Sequence, residues 1–385
     1  MPESCAPVFQ LNDMIKFSRL FIVFALIFAA CSSEDDDTET GGETGGTDSF
    51  DRSAMLVNWA DNNIVPAYNN MATKTQNVET AATAFTSAPD AAGLQQLREA
   101  YVDAYKSFQS VSMFQVGKAE EINYRSYLNT YPANTSNIDS KISSGSFNLE
   151  LPSSFAEQGL PALDYLLFGM GTSEETVALY SSNENYRAYL NAVASRMNAL
   201  TTEVSNSWNG DYRDTFVSNT SSSSTGSVDK FTNDYVMYFE KILRSGKIGF
   251  PAGAFTGTAS PSNVEARFNG EISRELYLEA LQSFEDFFYG RHFSGNGTGS
   301  SYKQYLEYLD SMKDGSDLAS LIEDQLDAIQ SQSSSLETNL KSQVEKDNTK
   351  MLEAYDELQK AVILLKVDMM QALSISVDYV DSDGD

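Results

Sequence analysis

Gly159, Pro161 and Asp164 are the residues whose types and spacing come nearest to a reactive site. A proline inside a helix lacks an N–H and clashes with the carbonyl one turn back, so the helix kinks or opens there. A glycine beside it lets backbone or ligand approach closely. Asp164 follows Pro161 by three residues, on the same side of a helix. Together they make either a small carboxylate site or a helix bent to fit its neighbours. Little else is on offer. His292 is the one histidine, and Cys5 and Cys31 are the two cysteines. No Cys₄ or His₃ zinc site can be built from one such chain. His292 precedes a glycine-rich run at 294–301, where a solvated histidine is the plain reading. Glu120 and Glu121 are adjacent and do not face each other on a helix. Asp381-Ser-Asp-Gly-Asp385 opens like a calcium loop, without the distal bidentate glutamate that such a loop requires.

The elements that must position these residues read as helices. Ser154-Phe-Ala-Glu157 is a capping-box pattern and predicts a helix from Phe155. Met351, Tyr355, Leu358, Val362, Leu365, Met369 and Ala372 alternate spacings of four and three, one apolar seam down a helix. Ile363 and Leu364 widen that seam and predict burial on more than one side. Leu318, Leu321, Ile322, Leu326 and Ile329 form a second seam, and Leu94, Leu97, Tyr101, Tyr105 and Phe108 a third. No alternating strand set competes, so the expected fold is all-α and bundle-like. The polar run Asn219–Ser227 divides it into an N-terminal bundle, 50–218, and a C-terminal bundle, 228–385. A weak repeat relates the two. Leu160-Pro-Ala-Leu-Asp-Tyr-Leu-Leu-Phe-Gly169 aligns with Leu281-Gln-Ser-Phe-Glu-Asp-Phe-Phe-Tyr-Gly290. Each predicts a helix stopped by glycine, with a carboxylate five residues upstream.

The chain has 385 residues, with 26 Lys and Arg against 54 Asp and Glu, a net charge of −28. Phosphate binding runs on clustered bases, so nucleic acid is excluded as a partner. Tyr and Phe number 42, and their helical spacing marks most of them as core. Residues 20–30 are an apolar run of eleven after Lys16 and Arg19, too short to span a bilayer. This is the pattern of a secretory signal over 1–30. Met14 is the expected true start, which removes Cys5. Ala29-Ala-Cys31 resembles a bacterial lipobox, although Phe28 stands where leucine is usual. The resemblance implies cleavage before Cys31 and its lipidation, hence a membrane partner through the anchor. Residues 31–49 hold seven acids and no base, a flexible tether. Ser33-Glu-Asp-Asp-Asp37 resembles the acidic export signal of Bacteroidetes surface lipoproteins. It implies the outer face of the outer membrane, with the periplasmic face as the alternative. The leader holds two acids and two bases and the tether seven acids, so 45 acids against 24 bases remain in the helical region.

Gly159-Leu-Pro161-Ala-Leu-Asp164-Tyr-Leu-Leu-Phe-Gly169 is similar to the signature of imelysin-like proteins, also called iron-regulated or insulin-cleaving membrane protease-like proteins. That signature reads Gly-x-His-x-x-Glu before an aromatic-Leu-Leu-Trp-Gly run. Here Pro161 replaces the histidine and Asp164 the glutamate. Asn63-Ile-Val-Pro-Ala-Tyr68, Leu97 to Tyr105, Phe114-Gln-Val-Gly117, Lys247-Ile-Gly-Phe-Pro-Ala-Gly253 and the segment from Tyr355 to Met370 also resemble that family's lipoprotein branch. The similarity covers roughly 50–385. It implies two four-helix-bundle-like halves about a pseudo-twofold, with the site where they meet. It also implies iron uptake or its regulation, and it carries a metallopeptidase label.

The departures weigh against that label. Pro161 cannot ligate a metal through its side chain. Ser112 and Gln115 stand where typical members carry Glu and Arg. The expected function is a lipid-anchored extracytoplasmic binding protein for iron or another nutrient, without catalysis. Its ligand site is expected at Gly159, Pro161 and Asp164, with Asp164 as metal ligand if a metal binds. The ligand itself is open, iron or another hard cation being the class that carboxylates suit. A transporter is the partner such a role implies. The alternatives are an imelysin-type metallopeptidase and a structural lipoprotein that docks a protein partner.

Overall fold

The apolar seams become the buried faces of long helices. The computed structural model describes residues 49–379. The leader, Cys5, Cys31, the acidic tether before Ser49 and the Asp381–Asp385 run lie outside the described residues. From Phe50 onward the chain forms one compact unit. Nine helices carry the argument: α1 Val65–Ser87, α2 Ala91–Val111, α3 Tyr124–Asn129, α4 Gly159–Phe168, α5 Glu184–Asn209, α6 Ser227–Met237, α7 Ser273–Tyr289, α8 Leu318–Ser333 and α9 Thr349–Val362. The fold is all-α, and strands among the described residues amount to a pair of two, Met312–Lys313 with Ser316–Asp317.

Helix α1 packs along both α2 and α5, and α4 lies across α5 beside α3. In the second half of the sequence, α9 packs on α8 and on the continuation of α6. Helices α2 and α7 pack together and join the two sets. Leu94, Leu97, Tyr101, Tyr105 and Phe108 are all buried, as their spacing predicts. Trp59 anchors another part of the core, 4.8–5.2 Å from the rings of Tyr302, Phe287 and Phe231. Such pairs contribute about 0.5–1.5 kcal/mol each beyond their buried area.

Three helical stretches among the described residues wind as π-helix: Trp59–Ile64, Tyr238–Gly249 and Ile363–Met369. The second continues α6 for twelve residues. Residues five apart on an α-helix point about 140° away from each other. The i to i+5 repeat of a π-helix sets them on one side instead. Lys241 thus aligns with Gly246, and Ile242 with Lys247.

Two local expectations are corrected. The predicted helix from Phe155 does not form. Pro152–Glu157 is a 3-10 turn, Gln158 is extended, and α4 starts at Gly159. The Ser154 hydroxyl donates to the Leu149 and Leu151 carbonyls rather than capping. Glu157 is taken by Lys141 and by Asn137 (2.8 Å). Pro161 therefore falls in the first turn of a new helix, where a missing N–H costs nothing. Ile363 is 48% exposed while Leu364 packs half-buried on the core, so α9 and its extension widen the buried seam at Leu364 but not at Ile363. Its neighbours, α8 and Tyr238–Gly249, lie on the side that takes Leu358, Leu365 and Met369.

Candidate functional site

Helix α4 is held at its start by a close backbone approach. Gly159 has φ +75°, and a methyl there would lie 2.3 Å from the Leu128 carbonyl oxygen, at the end of α3. Only glycine meets both demands. One turn further on, Asp164 is 2% exposed. Its carboxylate accepts from the backbone N–H groups of Phe268 (2.8 Å) and Asn269 (2.9 Å) and from the Tyr101 hydroxyl (3.3 Å). Burial pushes its pKa up to about 6, against the pull of those donors and of Arg267. Asp164 thus reaches from the first half of the sequence to clamp a loop of the second. That loop includes Ala266 at φ +53°, a left-handed conformation that costs a non-glycine residue about 1–2 kcal/mol. Pro161 lies against the same loop and makes no polar contact. The cavity between Pro161, Asp164, Arg267 and Phe268 is about 10 Å³, room for one water.

A larger cavity lies at the loop's other end. It measures about 320 Å³. Phe108 and Gln109 of α2, Ser112, Arg125 and Asn129 of α3, and Tyr131 line one wall. Lys241, Ile242, Gly246 and Lys247 of the π segment, with Phe250 and Asn263, line the other. Behind the lining, Lys247 belongs to a buried ion pair. Lys247 and Glu265 are each 3% exposed and bonded to each other. The Lys247 ammonium also donates to Gln109 Oε1 (2.8 Å), and Asn129 donates to Glu265 Oε1 (2.6 Å). The Tyr105 hydroxyl donates to Asn129 (2.7 Å) and so fixes the amide's orientation. Burial draws the Lys247 pKa down and the charge of Glu265 opposes this. Burial and the charge of Glu265 both hold the Tyr131 phenol well above its ordinary pKa.

Arg125 forms the second charged element. Its Nε donates to the Ser112 carbonyl (2.6 Å) and its Nη2 to both oxygens of Asp234 (3.1 and 3.2 Å). Asp234 also accepts from the Gln115 backbone N–H (2.9 Å). Burial raises the Asp234 pKa, and Arg125 works against that rise. The Ser112 hydroxyl donates to Tyr238 (2.9 Å). Ser112 and Gln115, which the sequence marked as departures, therefore sit at the cavity or brace its arginine.

The structure separates the expected site residues by role. Gly159 and Asp164 order the scaffold, and Pro161 starts a helix. None of the three lines the larger cavity. His292 is half-buried in the 290–300 loop, its backbone N–H bonded to the Gly297 carbonyl (3.1 Å), and it too is absent from the cavity wall. Lys247, Glu265, Gln109, Asn129 and Asp234 went unrecognised. The signal for Lys247 was a lysine directly before Ile-Gly-Phe-Pro.

The repeat partner of Asp164 is Glu285, 6% exposed. Its Oε2 accepts from Gln330 (3.1 Å), while its buried Oε1 has no partner. Burial first, then the charges of Asp286 and Asp327, push its pKa up to about 7, with Gln330 and Arg291 opposing. A pKa raised on folding gives stability that is complete below the ordinary carboxylate range and gone above the folded value. Glu285→Gln is expected to stabilise the chain at pH 8 by about 1–2 kcal/mol. It should also flatten the pH dependence of the urea midpoint between about 4.5 and 7. An unchanged midpoint at pH 8 would show that the carboxylate is not strained there.

A resident metal at the signature does not fit these residues. Pro161 offers no ligand atom, and both oxygens of Asp164 are engaged by the loop. Among the described residues, no three His, Cys, Asp or Glu side chains are grouped to hold a metal ion.

A family model described as Imelysin matches residues 64–365. The chain is similar to a solved imelysin-like protein from Psychrobacter arcticum 273-4, with 18% identity and a TM-score of 0.66. That match covers 85% of this chain and 97% of the other. It is also similar to a protein from Parabacteroides distasonis ATCC 8503 described as an iron-regulated protein A precursor. There the identity is 18% and the TM-score 0.67, over 83% of this chain and 95% of that one. No curated protein matches the chain.

Proposed function

The chain belongs to the imelysin family, and from that premise we propose that it is an extracytoplasmic binding protein, linked to iron, that holds a small ligand without turning it over. The observation that carries this reading is the cavity of about 320 Å³, walled by residues of both sequence halves, 50–218 and 228–385. Its volume lies within the range of small-ligand sites. The link to iron rests on the family and on the iron-regulated description of the Parabacteroides relative. A metallopeptidase reading is weaker, because the carboxylate in the signature already serves a loop and the histidine position is Pro161. Cys31 as lipid anchor, the outer membrane and surface display belong to the same proposal and rest on the sequence. No described helix is long and apolar enough to cross a membrane.

Calorimetric titration of the purified full-length chain with Fe(II) chloride, ferric citrate and haem tests the ligand. One iron-bearing species is expected to bind, one per chain, and to be recovered unaltered. No binding by any of them would contradict the proposal. It would favour a protein-docking lipoprotein, for which Phe250 and Phe255 offer half-exposed rings 4.9 Å apart. Protease added to intact cells tests the address. A chain that resists until the outer membrane is opened would exclude surface display.

A further inference from the structure

We infer that the ligand enters the cavity as an anion, a small carboxylate-bearing molecule, free or chelating iron, and not as a bare cation. The inference rests on the reading of this cavity as the ligand site. Its lining holds three bases, Arg125, Lys241 and Lys247, and no aspartate or glutamate. Acids outnumber bases about two to one in this chain, so an acid-free basic lining runs against the composition. The acids stand behind the wall, each facing one of the bases. Asp234 holds Arg125, Glu265 holds Lys247, and Glu240 lies 3.1 Å from the Lys241 ammonium. They fix the bases in place and leave the lining without acceptor charge. A hard cation needs carboxylate or similar oxygens to replace its water. This lining supplies no carboxylate, and its charged atoms are donors only.

Arg125 is built to receive a carboxylate. One edge of its guanidinium is pinned by the Ser112 carbonyl and another by Asp234. The Tyr238 ring lies beneath it, 5.5 Å from the guanidinium carbon. Nη1 has no protein partner among the described residues, and its donors belong to a residue that lines the cavity. A guanidinium locked on two edges loses little freedom when the third binds an anion. Ser112, Asn129, Thr130 and Asn263 add neutral polar groups, and Phe108, Ile242 and Phe250 give an apolar side. The ligand is therefore polar and anionic at one end and carbon-rich along its flank.

Calorimetry on the full-length chain tests this with sodium citrate, ferric citrate and Fe(II) chloride. Citrate is expected to bind with or without iron, and Fe(II) chloride is not. Arg125→Gln should weaken citrate by about ten-fold or more, the loss of a charge-assisted hydrogen bond. Arg125 also supports half-buried Asp234, so a second variant guards against misfolding. Asn263 is half-buried and its side chain holds up no other residue, so Asn263→Asp adds one negative charge to the lining with an unchanged melting temperature. It should weaken citrate as well. Binding of Fe(II) chloride without citrate would overturn the inference and leave the iron reading standing. Arg125-dependent binding of free citrate with rejection of ferric citrate would support the inference and remove iron. Citrate affinity unchanged in both variants would overturn the inference, as would silence with all three probes; silence with haem as well would overturn the iron reading.

Discussion

Lys247→Ala is expected to lower the unfolding free energy by about 3–5 kcal/mol, the usual cost of breaking a buried ion pair from one side. Glu265 would be left charged and almost wholly enclosed, with only Asn129 and Gln109 as donors. The alanine would also remove the wall between the cavity and that carboxylate. Much of the loss comes from the stranded charge, so removing the charge should recover it. Lys247→Met with Glu265→Gln is expected to lie within about 2 kcal/mol of the parent. A glutamine at 265 can still accept from Asn129 and donate to Gln109. Urea denaturation of Lys247→Ala tests the first claim, and the parent, Lys247→Met, Glu265→Gln and the double variant close the cycle. A Lys247→Ala loss below about 1 kcal/mol would mean that solvent already screens the pair.

Asp164→Ala comes next, with an expected loss of about 2–4 kcal/mol. Two backbone donors, Phe268 and Asn269, and the Tyr101 hydroxyl would lose their shared acceptor. The strained Ala266 would be fixed from one side only. Because the same loop bears Glu265 and Asn263, ligand affinity should fall too, although Asp164 does not line the cavity. Asp164→Asn keeps one acceptor oxygen and should cost less. The pH dependence separates the two effects. The folded pKa of about 6 is above the ordinary value of 3.8. Its contribution is therefore complete below about pH 4 and lost as the pH rises through 6. Asp164→Asn should remove that decline from the midpoint-versus-pH curve. A slope that persists in Asp164→Asn and vanishes in Glu285→Gln would assign the decline to Glu285 alone.

The sequence made the helices legible because burial repeats with the helical period. The seams at 94–108, 318–329 and 351–369 are long enough to outweigh local irregularity. Phe155 was misread because the capping-box pattern is a local signal. Lys141 and Asn137, distant in sequence, claim Glu157. The burial of Ile363 was misread for a related reason, since a single sequence does not reveal how many neighbours a helix has.

The site was legible only at its edge. Gly159 and Asp164 stand out by type and spacing, and both make the contacts that fix the local geometry. Their spacing gave no sign that the partners would be backbone N–H groups more than 100 residues away. Lys247 and Glu265 are 18 apart in sequence, and Gln109 is 138 from Lys247. No helical periodicity links such residues. The alignment of Ile242 with Lys247 exists only because the segment winds as a π-helix, which no residue pattern announced. The repeat was more informative. It paired Asp164 with Glu285, and both are buried carboxylates with raised pKa values.

The most direct test of the central claim is amide hydrogen exchange of the full-length chain with and without saturating ferric citrate. Protection is expected in three segments that meet at the cavity, 109–131, 238–250 and 261–269, with the 290–300 loop unchanged. Protection confined to 159–168, or none at all while ferric citrate is bound, would contradict the placement of the ligand between Arg125 and Lys247.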